Sequence, residues 1–128
     1  GVDRAVVYDR SPVAVVPMAF CFPGYNARGA DLPPPPVCAA TWRARVLQSL
    51  PNVQLTLLVG AHAQNWHLDG RESVTARVAA WRDHAPDAFV LPHPSWRNTA
   101  WLRRNPWFET DLLPVLRASV AQALCADD

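Results

Sequence analysis

Apolar residues along the chain come in short bursts separated by proline- and glycine-rich breaks, and each burst has the period of one kind of element. Val13 to Met18 (Val-Ala-Val-Val-Pro-Met) is a nearly continuous Val-rich run, as expected of a strand buried on both faces, with Pro17 marking its end. Phe20 to Val37 follows, with Gly24, Gly29 and four prolines at Pro33 to Pro36, and reads as a long loop stiffened by polyproline II. Thr41 is placed to N-cap a helix whose Trp42, Val46, Leu47 and Leu50 share a face, stopped by Pro51-Asn52. A second buried strand is expected at Val53 to Val59, ending at Gly60, where the chain turns into a helix over Ala61 to Leu68.

Ser73 caps a further predicted helix, with Val74, Val78 and Trp81 in register and Ala85-Pro86 at its end. Ala88 to Leu91 is the third strand, broken by Pro92. A short amphipathic piece, Thr99 to Arg104, precedes Asn105-Pro106, a good N-cap and N1 pair for a last helix reaching about Leu124. Its inward residues are Leu113, Leu116, Val120 and Leu124, and Pro114 should kink or split it. Strands alternating with helices predict an α/β fold of three α/β/α layers around a short parallel sheet of three strands.

Composition fits this reading and narrows it. The 128 residues, 50% apolar and 18% charged, suit one globular domain spanning 1–128. Twelve basic residues against 11 acidic ones give a net charge of +1, which excludes a charge-driven disordered chain. All the basic residues are Arg, so any anion site is built from guanidinium groups. No apolar run approaches the ~20 residues of a membrane span, and no secretion signal opens the chain. Three cysteines without such a signal read as reduced thiols or metal ligands. The chain opens at Gly1 and its only Met is Met18, which leads us to expect processing or a piece of a longer protein.

The candidate chemistry concentrates after the third strand. In an open parallel sheet ligands bind beyond the carboxyl ends of the strands, where His93, Ser95, Arg97 and Asn98 stand. Prolines on both sides of His93 pre-set its backbone and aim its imidazole at little entropic cost. The plainer alternative is a rigid exit loop in which His93 caps Asn98 or the next helix. Arg97, Arg103 and Arg104 interleave with Trp96, Trp101 and Trp107, and no acidic residue lies between Pro92 and Phe108. Such a stretch suits a phosphate backbone with an unstacked base; alternatively the Trp residues are core and the Arg residues solvated. His62 and His67 lack the spacing and the Glu of a zinc-protease helix, Gly24 and Gly29 lack the Lys-Ser/Thr of a phosphate loop, and Ser95 lacks a nucleophile elbow.

The order of these pieces resembles one family. Cys21-Phe-Pro-Gly-Tyr-Asn after the first run, the Pro-rich loop, Cys38, Leu57-Leu58-Val59-Gly60 with Ala63, and His93-Pro94-Ser95-x-Arg97-Asn98 are similar to the uracil-DNA glycosylase superfamily, most of all its bacterial iron-sulfur branch. The resemblance implies a base-excision repair hydrolase acting on DNA in the bacterial cytoplasm, cleaving the N-glycosidic bond of a flipped-out uracil or other deaminated base. It implies that His93 hydrogen-bonds the base carbonyl where negative charge grows, and that Ser95 and Asn98 bind flanking phosphates or order the loop. Arg97 takes the wedge position and Arg103 and Arg104 belong to the DNA-binding surface. Trp96 stands where the family usually has Pro.

The same resemblance makes Cys21 and Cys38 two ligands of an iron-sulfur cluster whose other ligands lie outside this chain. A cluster needs four thiolates, so the expectation is that this chain alone binds none, with Cys125 a spare thiol. The family's Gly-rich Pro-Gly motif, which positions the water, has no counterpart here, and Pro17-Met18 stands where many members carry an Asn that reads the uracil edge. The chain is accordingly expected to be an N-terminally incomplete member, inactive by itself. The alternative is a non-catalytic DNA-binding module of the same fold; an unrelated small-molecule-binding α/β domain is a third reading.

Overall fold

A computed structural model describes residues 2–8 and 12–125, and these fall into two compact units, Ala14–Val53 and the remainder, Gly1–Val13 with Gln54–Asp128. In the larger unit, helix α1 (Arg4–Tyr8) comes first in the chain. Its centre is a parallel pair, β1 (Thr56–Val59) and β2 (Ala88–Leu91), in register from Thr56 opposite Ala88 to Val59 opposite Leu91. Two flanking bonds extend the ladder: Thr56 N donates to Asp87 O at 2.9 Å and Gly60 N to Leu91 O at 2.9 Å. The crossover between the strands carries α4 (Ala61–His67) and α5 (Val74–Ala79), then a single 3-10 turn at Trp81–Asp83. After β2 come α6 (Thr99–Arg104), a π-helical turn at Phe108–Leu112 and α7 (Leu113–Cys125).

The mixed helix and strand order is the predicted α/β class, but the sheet is smaller than expected. Among the described residues it has two strands, because the Val13 to Met18 run is extended without a ladder. Val15 is 82% exposed. Pro12 and Pro17 remove donors at either end of the run, and the Val16 and Pro17 carbonyls face the Arg43 guanidinium at 3.4 Å instead of a neighbouring strand. β1 also differs from expectation. It begins at Thr56 rather than Val53, and only Leu58 is buried, while Leu57 and Val59 on its other face remain open to solvent. β2 is buried on both faces at Phe89 and Val90.

The core gathers where the helices cover β2. Val78, Trp81, Phe89, Val90, Phe108, Leu112 and Leu116 form it, with Val74, Trp101, Trp107, Leu113 and Val120 packed around. The last helix runs on through Pro114 without a break, the residue falling in the first turn of α7. Pro114 offers no N–H to the Thr110 carbonyl, and the widened π-turn at Phe108–Leu112 ends just before it. Ser73 caps α5 as anticipated, its Oγ accepting from Ala76 N at 3.2 Å. Replacing Ser73 with alanine should therefore cost about 1 kcal/mol, read as a lower chemical-denaturation midpoint at unchanged m.

In the smaller unit, a tight turn at Asn26 closes a bridge between Tyr25 and Asp31, with Asn26 Oδ1 accepting from Arg28 N and Ala30 N. The helix begins earlier than Thr41. It opens with Pro36 at its first position in α2 (Pro36–Cys38), widens into a π-turn at Ala39–Arg43 and closes as α3 (Ala44–Gln48). Pro36 suits that start because an N1 residue needs no N–H partner. Thr41 lies inside the helix, where its hydroxyl donates to Val37 O at 2.7 Å and competes with the helical bond to that carbonyl. Of the predicted inward face, Trp42 and Leu47 are exposed while Val46 and Leu50 are half-buried, and the buried residues are Ala39 and Arg43. Burial lowers the tendency of Arg43 to hold its proton, and the two backbone carbonyls partly offset that cost.

Candidate functional site

The site is assembled at the carboxyl end of β2, on the segment 92–98. The Leu91 carbonyl, last in the strand, accepts both Gly60 N and the Gln64 Nε2 at 2.8 Å, so the chain leaves the sheet from a fixed point. Two residues later the His93 carbonyl accepts Ser95 N at 2.8 Å and the side-chain Nδ2 of Asn98. Pro92 and Pro94 fix φ on either side. His93 is thus held by its backbone from both directions while its imidazole is exposed.

Gly60 makes this approach possible. It lies at φ +82° and ψ 169°, a conformation reserved for glycine, and a Cβ there would sit 3.4 Å from the His93 Cβ. The turn from β1 into α4 therefore forms the floor under His93. Gln64 on α4 is fully buried with its Oε1 unpartnered among the described residues, while its amide N–H holds Leu91. Nothing in the sequence singles out Gln64, because a glutamine on a short helix reads as a surface residue.

The remaining predicted residues divide into two groups. Ser95 and Asn98 have their side chains turned to the loop's own backbone: Ser95 Oγ accepts Arg97 N at 3.3 Å and caps the 3-10 turn Trp96–Asn98, and Asn98 reaches back to His93. Both side chains thus bond within the loop itself. Arg97 is exposed with its guanidinium 5.6 Å from the ring centroid of Trp96, itself 82% exposed, a cation–π pair presented to solvent. Arg103 and Arg104 occupy the exposed last turn of α6, where they complement the helix dipole, and Arg104 Nε donates to Ala100 O at 3.1 Å.

The tryptophans separate in the same way. Trp101 Nε1 donates to Thr75 Oγ1 at 2.7 Å, and Trp101 and Trp107 meet Phe108 edge to face. Both pack against the core, so Trp96 alone of the three offers a free ring for stacking. His62 is exposed at the start of α4 and His84 is half-buried, neither in a ligand set among the described residues.

A fixed, exposed histidine thus stands beyond a parallel strand, followed by Pro-Ser-Trp-Arg-Asn. The family model of the uracil DNA glycosylase superfamily matches residues 1–117. The chain belongs to the uracil DNA glycosylase superfamily. That places it among proteins of DNA glycosylase type, for which DNA is the partner. No helix among the described residues is long and apolar enough to cross a membrane.

The two cysteines matched to the iron-sulfur branch do come together. Cys21 Sγ lies 3.3 Å from Cys38 Sγ, both in the smaller unit. Among the described residues, however, no group of three or more His, Cys, Asp or Glu side chains converges as a metal site. Since a cluster needs four thiolates, this pair by itself does not make up a cluster site.

Proposed function

We propose that this superfamily member excises a deaminated base from DNA, with the 92–98 loop as its chemical and duplex-penetrating element. The observation that carries this reading is the exposed His93 imidazole on a backbone held from both sides, with the Trp96–Arg97 pair projecting beside it. Breaking an N-glycosidic bond leaves positive charge on the sugar and negative charge on the departing base. A ring N–H of His93 directed at the base carbonyl stabilises that growing charge, and a pre-set donor loses nothing to reorganisation as the bond breaks. Arg97 fills the gap left by the flipped nucleotide while Trp96 stacks on an adjacent base; the Arg103 and Arg104 guanidinium groups attract the phosphate backbone. Ser95 and Asn98 act as positioning residues, holding the loop that carries these groups.

The test is base release by the full-length protein from uracil-, hypoxanthine- and mismatch-containing duplexes, with Arg97→Ala alongside. We expect release from at least one substrate. Arg97→Ala should bind the same duplex about 5- to 150-fold more weakly, since one guanidinium inserted among the bases is worth roughly 1–3 kcal/mol. Salt-dependent binding to every duplex without release from any would instead establish the non-catalytic DNA-binding module. Wild-type binding and release by Arg97→Ala would remove the wedge role.

A further inference from the structure

We propose that Gln64 is a positioning residue for His93, an inference that rests on the glycosylase reading and adds to it the group that sets where the imidazole stands. The Gln64 side chain is fully buried, and its Nε2 donates to the Leu91 carbonyl at 2.8 Å. That carbonyl is the last of β2 and also accepts Gly60 N at 2.9 Å. A third bond completes a ring, in which Gln64 N donates to Gly60 O at 3.2 Å. The end of β1, the first turn of α4 and the end of β2 are thereby tied to one another, and Pro92 joins the ring directly to His93. Because the pyrrolidine ring fixes φ at Pro92, few rotations separate the Leu91 carbonyl from the His93 Cα, and a displacement of that carbonyl carries through to the imidazole.

The helix that carries Gln64 is itself anchored. Arg77 on α5, buried to all but 6% of its surface, donates from Nη1 to Asn65 Oδ1 at 2.6 Å and from Nη2 to Gly70 O at 3.0 Å. One guanidinium thus holds both the residue next to Gln64 and the chain that leaves α4. Folding, by contrast, does not call for the Gln64 amide. The Leu91 carbonyl keeps Gly60 N as a donor without it, and the Gln64 Oε1 is buried with no partner among the described residues, an arrangement that opposes folding. An apolar side chain of similar length would fill the same space without the orphaned acceptor. A buried glutamine that burdens the fold, and whose one side-chain bond goes to the strand end beneath His93, points to positioning and not to packing.

The experiment compares Gln64→Met with wild type in the full-length protein by urea midpoint, duplex affinity, single-turnover base release and the proton–carbon correlation signal of the His93 imidazole, with the His84 signal as internal reference. We expect a midpoint at or above wild type, affinity within a few-fold, and base release about 10- to 100-fold slower, the usual effect of misplacing a reacting group by about an ångström. The His93 signal should shift and broaden while that of His84 stays. A residue that merely packs would leave the His93 signal and the rate unchanged, or would lower midpoint and rate together, and either result would overturn the proposal. Gln64→Leu is read in the same way, and loss of folding in both variants would make Gln64 a packing residue. The His93 signal is recorded without DNA, so a wild-type protein that releases no base would remove the glycosylase reading, while that signal still decides whether Gln64 positions His93.

Discussion

Alanine at His93 is expected to lower the single-turnover rate of base release about 100- to 1,000-fold, while affinity for the same duplex should stay within a few-fold of wild type. The size follows from the role. One pre-set donor aimed at developing negative charge is worth on the order of 3–4 kcal/mol in the transition state and little in the ground state. The split between rate and affinity follows from the proposed roles, in which His93 acts on the base and Arg97 and Trp96 on the duplex. Folding is not at stake, because the imidazole is exposed and its backbone bonds at Ser95 and Asn98 involve the carbonyl, which alanine keeps. Glutamine at the same position retains an N–H donor and should recover part of the rate. Equal losses of rate and binding, or no loss of rate, would show that the imidazole does not act on the base.

That prediction depends on a loop whose location was readable from the sequence and a floor that was not. His93 to Asn98 is contiguous, so its residue types, its prolines and its place after an apolar run could be read directly. The contact of Gly60 with His93 joins the ends of two different strands and exists only once β1 and β2 pair in their observed register. Gln64 is harder still, since its amide is buried solely to hold the end of β2. The same limit explains the strands. β2 was legible because apolar residues on both faces and Pro92 mark a central strand and its end. The Val13 to Met18 run has a similar composition, but composition reports a preference for burial, not a partner to pair with, and in the structure its carbonyls near the end face Arg43.

Proline and tryptophan are ambiguous for a related reason: each has two uses that look alike in one dimension. Four prolines in a row read as polyproline II, yet the last of them, Pro36, begins a helix, where a missing N–H costs nothing. Three tryptophans among arginines allow either a stacking surface or a core contribution, and the structure divides them: α6 turns Trp101 inward onto Thr75 and Phe108, leaving Trp96 in the 3-10 turn to face solvent. The helical period that buries one ring of such a stretch exposes the arginines beside it. A basic aromatic segment therefore serves the core and the surface at once, and the number of rings available to nucleic acid is smaller than the number in the sequence.

Alanine at Phe89 should remove about 3–5 kcal/mol of folding stability, the upper range for a core truncation. Phe89 is fully buried in the middle of β2, opposite Leu57, and stacks on Trp81 with ring centroids 5.8 Å apart and planes 19° from parallel. Truncation leaves a cavity that neither strand can fill, because β1 and β2 fix the backbone on one side and the crossover turn fixes Trp81 on the other. Domains of this size hold only about 5–15 kcal/mol, so the melting temperature should fall by on the order of 10–20 °C. Leucine keeps most of the volume and should lose much less. Trp81→Ala and Phe89→Ala share one cavity, so their combined cost should differ from the sum of the two measured separately. A urea midpoint for Phe89→Ala equal to wild type would place Phe89 outside the core. If the midpoint does fall, base release per folded molecule at low temperature should change little, because Leu91 is tied to Gly60 and Gln64 by bonds the phenyl ring does not make.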